Sequence, residues 1–306
     1  MVSDKVELIT VKKNNPNYIL PVWFGEIDDN NDIITSKDRF LLVFVNKGTG
    51  IIKIGDQKRI FTSPCVFCLN EKETIELEKS KDFNSKVFYF HPSFINSIFT
   101  LENIKGQKEG LTMSDIRDLH WLDSFIKRKE NYIGIYTMGP ATTKHIESIL
   151  NNIKNQMEIQ SDGYWPCRTR SYFLELLFIL ERLYNSIDTM EEVVLDNIPD
   201  DINKIILYLH NNYQKKITIK DLSNTFHMNR TTLNNRFSEA TGSTVMTYLI
   251  KLRVKLAALM LKDTMISISE IIERIGISDT SHFGRIFKKH MGCSPTEYRK
   301  LNSRFY

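Results

Sequence analysis

"SDTSHFGRIFKKHMG", residues 278–292, sets a run of small polar side chains ahead of a phenylalanine, follows them with an arginine, a second phenylalanine and two lysines, and stops on a glycine. Phe283 and Phe287 stand four apart, the separation that stacks two side chains on one face of an α-helix. Ser278 or Asp279 is suited to accept a first-turn N–H, and Gly292 to end the helix in the left-handed conformation. Such a helix is anchored by its two rings. Thr280, Ser281, His282 and Arg285 are left outward near its beginning, with Lys288 and Lys289 further along.

The same pattern occurs about fifty residues earlier. "ITIKDLSNTFHMNRTTLNNRFSEATGSTVMTY" (217–248) aligns with "ISISEIIERIGISDTSHFGRIFKKHMGCSPTEY" (266–298). Ile219, Leu222, Phe226 and Met228 match Ile268, Ile271, Ile275 and Ile277 at an offset of 49, and Leu233, Phe237, Gly242 and Tyr248 match Phe283, Phe287, Gly292 and Tyr298 at an offset of 50. The second copy therefore carries one extra residue in its central turn. Thr218 with Asp221, Ser267 with Glu270, and Ser294 with Glu297 read as capping boxes that start helices, the last with Pro295 at its first position. Asn229 is suited to begin the second helix of the first copy and Gly242 to end it. Two short helices at this spacing form a helix-turn-helix.

Between the copies, "TVMTYLIKLRVKLAALMLKD" (244–263) is rich in helix formers and free of Gly and Pro. At about 1.5 Å per residue it makes a rod of roughly 30 Å, close to the ~34 Å between successive major-groove faces of B-DNA. One chain can thus present two helices to adjacent turns of a duplex. The N-terminal half of a helix lying in a major groove meets base edges. Expected base-reading residues are therefore Thr280, Ser281, His282 and Arg285 in the second copy, where a guanidinium can grip both acceptors of guanine, and Thr231, Asn234 and Asn235 in the first, where asparagine suits adenine. Expected phosphate contacts are Arg230, Arg236, Lys288 and Lys289, with Lys251, Arg253 and Lys255 along the rod. Arg253 has the alternative of pairing with an acid and holding the two halves together.

Charge divides the chain at the same place. Residues 1–199 hold 24 Lys and Arg against 28 Asp and Glu, whereas residues 200–306 hold 17 against 9, so a basic third follows a mildly acidic remainder. A basic surface attracts polyanions, nucleic acid or acidic membrane first. The start, "MVSDKVELIT", lacks the pattern of a secretion signal, and "YFLELLFIL" is too short for a span and is broken by Glu175, so a cytoplasmic protein without membrane association is expected.

From Phe40 to Phe90, "RFLLVFVNKG", "GIIKIGDQKRIF", "CVFCLN", "TIELEK" and "KVFYFH" read as short strands of a small β-barrel or sandwich. "GTG" (48–50) reads as a turn between strands, lacking the further glycine and the following helix of a phosphate loop. Cys65 and Cys68 form one C-x-x-C without a second pair, in a stretch that reads as a buried strand, and Cys167 and Cys293 stand alone. No cofactor or metal is called for. Beyond about residue 111 the period becomes helical: Ile146, Ile149, Leu150, Ile153 and Met157 form a narrow stripe, suited either to a second copy of the helix in a dimer or to "RSYFLELLFILERLY" (170–184) of the same chain. The acid-rich stretch 186–199, with Pro199, reads as a linker.

The paired helix-turn-helix units, with "LRVKLAALML" between them and "GISDTSHFGRIFKKHMGCSPTEYR" at the end, resemble the DNA-binding domain of AraC/XylS transcription regulators over about residues 200–303. Ser223, Ile272 and Ile277 depart from the usual residues of that family. The resemblance implies an α+β chain: a cupin-like β-barrel sensing domain (1–110), a helical dimerisation region (111–185), a linker (186–199) and an all-α DNA-binding domain (200–306). It implies double-stranded DNA, RNA polymerase, a second copy of the chain and a small-molecule or protein effector as partners, and activation of transcription as the task. Trp23, Phe44, Phe67 and Phe88 are candidates to line an effector pocket. The competing reading is a cupin-type enzyme or sugar-binding protein with an accessory nucleic-acid domain; against it, only His91 lies near the strands, and no nucleophile elbow or P-loop occurs.

Overall fold

Alternation along a few long strands decides how the N-terminal half is built. The computed structural model describes residues 8–13, 15–28, 33–36, 38–106, 110–129, 132–186 and 198–303. Its strands are β1 (Thr10–Lys12), β2 (Asn15–Leu20), β3 (Val22–Asp28), β4 (Ile33–Thr35), β5 (Phe40–Ile54), β6 (Gln57–Thr62), β7 (Cys65–Leu69), β8 (Thr74–Phe90) and β9 (Ile135–Thr137). β1 and β2 pair with each other; the rest form one antiparallel sheet in the order β3-β8-β5-β7-β9, with β4 added to β8 and β6 to β5. This path is open, with no closure into a barrel among the described residues. Val43 pairs with both Phe67 and Val87, so residues of like parity share a face across the three central strands. Phe40, Leu42, Phe44, Val66, Cys68, Phe88 and Phe90 lie on one side, and Leu41, Val43, Val45, Cys65, Phe67, Val87 and Tyr89 on the other.

Two expectations are corrected here. "GTG" is no turn: it lies inside β5, which runs unbroken through it with register shifts on either side of Lys47. Gly48 takes φ +122°, and a Cβ on Gly50 would lie 2.3 Å from the Lys79 carbonyl oxygen, so the glycines permit a bulge and a close approach of the paired strand instead. "TIELEK" and "KVFYFH" are likewise the two ends of one bent strand, β8. The C-x-x-C does lie in a fully buried strand, with its two thiols in different clusters on opposite faces.

Helices α1 (Met113–His120) and α2 (Asp123–Ile126) lie between β8 and β9, and α3 (Pro140–Ile159) and α4 (Trp165–Asn185) follow β9. The stripe Ile146, Ile149, Leu150, Ile153 and Met157 on α3 is buried within the chain, in one cluster with Phe173, Leu176, Leu177 and Leu180 of α4 and with Phe88 and Phe90. Of the two partners the spacing allowed, the structure supplies the intramolecular one, and these five residues offer no free dimer surface. The aromatics also separate: Phe44 and Phe88 join the cluster beneath α3 and α4, whereas Phe67 and the half-buried Trp23 belong to the opposite face. They line no common pocket. A cleft between β1, β3 and α3 is lined by Trp23, Phe24, Lys154 and Met157 among others.

The C-terminal half is helical: α5 (Asp200–Asn212), α6 (Ile219–Thr225), α7 (Arg230–Thr241), α8 (Val245–Asp263), α9 (Ile268–Arg274), α10 (Thr280–Met291) and α11 (Pro295–Asn302). Most of the expected linker, residues 187–197, lies outside the described residues. Two cores form around α8. Ile202, Ile206, Leu222, Leu233, Phe237 and Leu249 make the first, and Val254, Ala257, Leu261, Ile271, Phe283 and Phe287 the second. No described helix is long and apolar enough to cross a membrane.

Candidate nucleic-acid interface

Local chemistry fixes where each short helix begins and ends. Thr218 and Asp221 form a complete capping box on α6, as do Ser294 and Glu297 on α11. On α9 only half of one is made: Ser267 Oγ accepts the Glu270 N–H, while the Glu270 carboxylate pairs with Arg274 at 2.7 Å instead of returning to the cap. Asn229 Oδ1 accepts the Thr232 N–H at 2.8 Å to start α7, and Asp279 Oδ1 accepts the His282 N–H at 2.9 Å to start α10. That bond holds the Asp279 carboxyl below its ordinary range. Gly242 and Gly292 end the two helices at φ +71° and +79°.

Each second helix is held by the same ring contact. Phe237 meets Tyr248 edge-on at 5.5 Å and 80°; fifty positions on, Phe287 meets Tyr298 at 5.5 Å and 79°. With α7 and α10 anchored alike, corresponding residues face outward alike. Thr280, Ser281, His282, Arg285, Lys288 and Lys289 are exposed on α10, and Arg230, Thr231, Thr232, Asn235 and Arg236 on α7. Asn234 is only half exposed, its Oδ1 buried without a partner. The residue matching the outward His282 is Thr232, which the sequence reading passed over although the offset of 50 points to it.

The cations divide into free and engaged. Arg230, Arg285, Lys288 and Lys289 make no hydrogen bond or ion pair among the described residues, and Lys251 is exposed on α8. Arg236 pairs with Asp201 of α5 at 2.7 Å. Arg253 is withdrawn altogether, which corrects its expected phosphate role. It is buried; its Nε donates to the Tyr213 carbonyl at 2.8 Å and its Nη2 to the Lys215 carbonyl at 2.7 Å, and burial lowers its pKa. It does hold parts of the domain together, through carbonyls rather than an acid.

Contacts to the N-terminal half were invisible in the sequence pattern. Thr62 Oγ1 of β6 bonds His210 Nδ1 of α5 at 2.8 Å, and His210 Nε2 bonds the Tyr248 hydroxyl at 2.9 Å. Burial, reinforced by the charge of Lys255, pushes His210 down to about 3, so the imidazole is neutral. Ile51 of β5 joins the first helical core, and Lys79 of β8 pairs with Asp200 at 2.8 Å. At the far end of α8, the buried Asp263 accepts from the Thr142 backbone N–H at 2.9 Å and from Thr142 Oγ1 at 2.5 Å. α3 begins at Gly139, which has no side chain to cap it, and a Cβ there would strike Asp263 at 2.4 Å. The cap comes instead from the other half of the chain.

Two basic-faced helices, each second in a helix-turn-helix and joined by one long helix, define a double helix-turn-helix domain of the kind that enters DNA grooves. Comparison with known proteins agrees. A family model described as a helix-turn-helix domain matches residues 222–301. The chain is 35% identical over 99 residues to the uncharacterised regulator YdiP of Escherichia coli K12, covering 32% of this chain and 33% of YdiP. It is 28% identical to the lactose operon transcription activator of Staphylococcus xylosus (53% and 57% covered) and 26% identical to the dual transcriptional regulator Rns of Escherichia coli (78% and 88%). The chain thus spans a third to just over half the length of the first two relatives. The match places a helix-turn-helix domain in the C-terminal part of the chain.

Proposed function

We propose that the chain is a sequence-specific DNA-binding transcription regulator of the AraC/XylS type, acting as an activator. The observation that carries this reading is the duplicated, Phe–Tyr-anchored helix with a polar start and free cations on its outer face. Thr231, Thr232 and Asn235 of α7 and Thr280, Ser281, His282 and Arg285 of α10 read bases; Arg230, Lys251, Lys288 and Lys289 meet phosphates, and Arg236 can join them by leaving Asp201. Residues 1–110 act as a cupin-like sensing module for a small-molecule or protein effector, with 111–185 a helical region, 186–199 a linker and 200–306 the DNA-binding domain. RNA polymerase is the downstream partner and the cytoplasm the place of action. A homodimer, implied by the family, would use a surface other than the buried α3 stripe.

The test is selection of duplexes by the full chain from a random pool, repeated at several salt concentrations. An enriched motif, with affinity falling steeply as salt rises, is expected; no enrichment, or indifference to salt, overturns the reading. On the selected duplex, Arg285→Ala should cost about 1–3 kcal/mol and relax preference at one base pair, whereas Lys289→Ala should weaken all duplexes alike.

A further inference from the structure

We propose that the loop 213–215, gripped by Arg253 and covered by the turn of the second unit at Gly276, sets the position of one reading helix relative to the other. Arg253 and Gly276 are then positioning residues for DNA recognition, not contacts to DNA. This rests on the DNA-reading function proposed above.

The loop belongs to the first unit, since it follows α5 directly and Tyr213 packs against the first core. Arg253 lies on α8, the helix common to both units, and its two donors take the carbonyls at the two ends of the loop. A planar guanidinium fixes both bonds in one orientation, which a lysine ammonium on its flexible stem cannot do. From the other side comes Gly276, in the turn between α9 and α10 at φ +73°. A Cβ there would lie 2.4 Å from the Gln214 carbonyl oxygen and 2.8 Å from that of Tyr213.

The chain contains its own control. At the offset of 49 Gly276 corresponds to His227, which holds the same left-handed conformation, at φ +52°, with its side chain exposed. The turn alone therefore does not demand glycine. What demands it at 276 is the loop of the other unit pressing against the turn. A single helix joining two units leaves their relative twist to its own bending; a loop wedged between the strut and the far turn removes that freedom. The register of α7 against α10 on DNA is then built in, and a duplex must present its two contacted segments at one spacing.

The test uses the full chain. Spin labels at Glu239→Cys on α7 and His290→Cys on α10, in a background of Cys167→Ser and Cys293→Ser, report the distance between the reading helices without DNA. The parent should give one narrow distribution and Arg253→Lys a broad one. Affinities are then measured for the selected duplex and for versions with one to five base pairs inserted between the contacted segments. One inserted pair, about 3.4 Å of rise, should cost the parent about tenfold or more. For Arg253→Lys the parent duplex should bind more weakly while the penalty for insertion shrinks to about threefold or less. Arg285→Ala, by contrast, should lower affinity at every spacing. An Arg253→Lys chain with the parent's narrow distribution and spacing profile overturns the proposal. Gly276→Ala should behave as Arg253→Lys does, and if it does not fold, Arg253→Lys decides. If no duplex is enriched the DNA-reading function falls, while the label distances still settle the seam.

Discussion

The two helix-turn-helix units share spacing, caps and ring anchors, yet they are embedded differently. The first shares its core with the sheet through Ile51, ties Arg236 to Asp201, and is bonded to Thr62 through His210. The second keeps a core of its own and carries Lys288 and Lys289 where the first has Ser238 and Glu239. One unit is joined to the N-terminal half through its core; the other touches that half at the end of α8, through Asp263, and gathers Arg285, Lys288 and Lys289 on α10, a helix without an acid. Duplication explains what the units have in common. Their differences lie in surroundings and in where the cations sit: the first is packed against the N-terminal half, and the second concentrates its cations on one helix.

The largest test of this contrast truncates the equivalent anchors. Phe237→Ala and Phe287→Ala each remove a fully buried ring and should each cost about 3–5 kcal/mol. Hydrogen exchange should distinguish them: Phe287→Ala should expose α9 to α11 and leave the sheet protected, whereas Phe237→Ala should also loosen amides of β5 and β6. Equal spread of exchange from both sites would abolish the distinction. Next comes Asp263→Ala, which strands the Thr142 N–H and hydroxyl in a buried place and should cost about 1.5–3 kcal/mol. Thr142→Val on top of it should cost less than it does alone, a coupling that a double-mutant cycle measures.

Much of this was legible because caps and i, i+4 pairs are local. Phe283 with Phe287, Thr218 with Asp221, and the glycine stops lie within one or two turns of each other, and the repeat doubles the signal. The antiparallel strands were legible too, but not their continuity. A glycine inside a bulge and a glycine in a turn have the same letter, and only the pairing of β8 alongside Gly50 tells them apart. Arg253 and Asp263 were illegible in role because their partners lie 40 and 121 residues away in sequence. The four strand aromatics failed as a pocket since their faces depend on register, which pairing decides and composition does not.

Acid should act on the first unit in particular. His210 titrates at about 3 in the folded chain against an ordinary 6.5. As pH falls below 6.5 the unfolded chain takes up a proton that the folded chain refuses. The stabilisation is therefore complete above 6.5 and is lost towards 3, at about 1.4 kcal/mol per pH unit. Thermal melts of the parent and of His210→Gln, whose amide can bond both Thr62 and Tyr248, should diverge in slope between pH 7 and 5. Parallel curves would mean that the buried imidazole does not govern this junction.

The smallest effect is the most pointed, because it has opposite signs in the two units. His227 occupies a left-handed conformation that costs a non-glycine residue about 1–2 kcal/mol. His227→Gly removes that cost but gives the unfolded chain more freedom, a loss of about 0.5–1 kcal/mol, so a net gain of about 0.5–1 kcal/mol in denaturant melts is expected. The reciprocal change, Gly276→His, drives a side chain into the Gln214 carbonyl and should destabilise. Were His227→Gly also destabilising, the imidazole would have to be making a contact that offsets its strained backbone. The first turn would then be constrained by a neighbour, as the second is, and the asymmetry between the units would rest on where their cations lie and on the sheet alone.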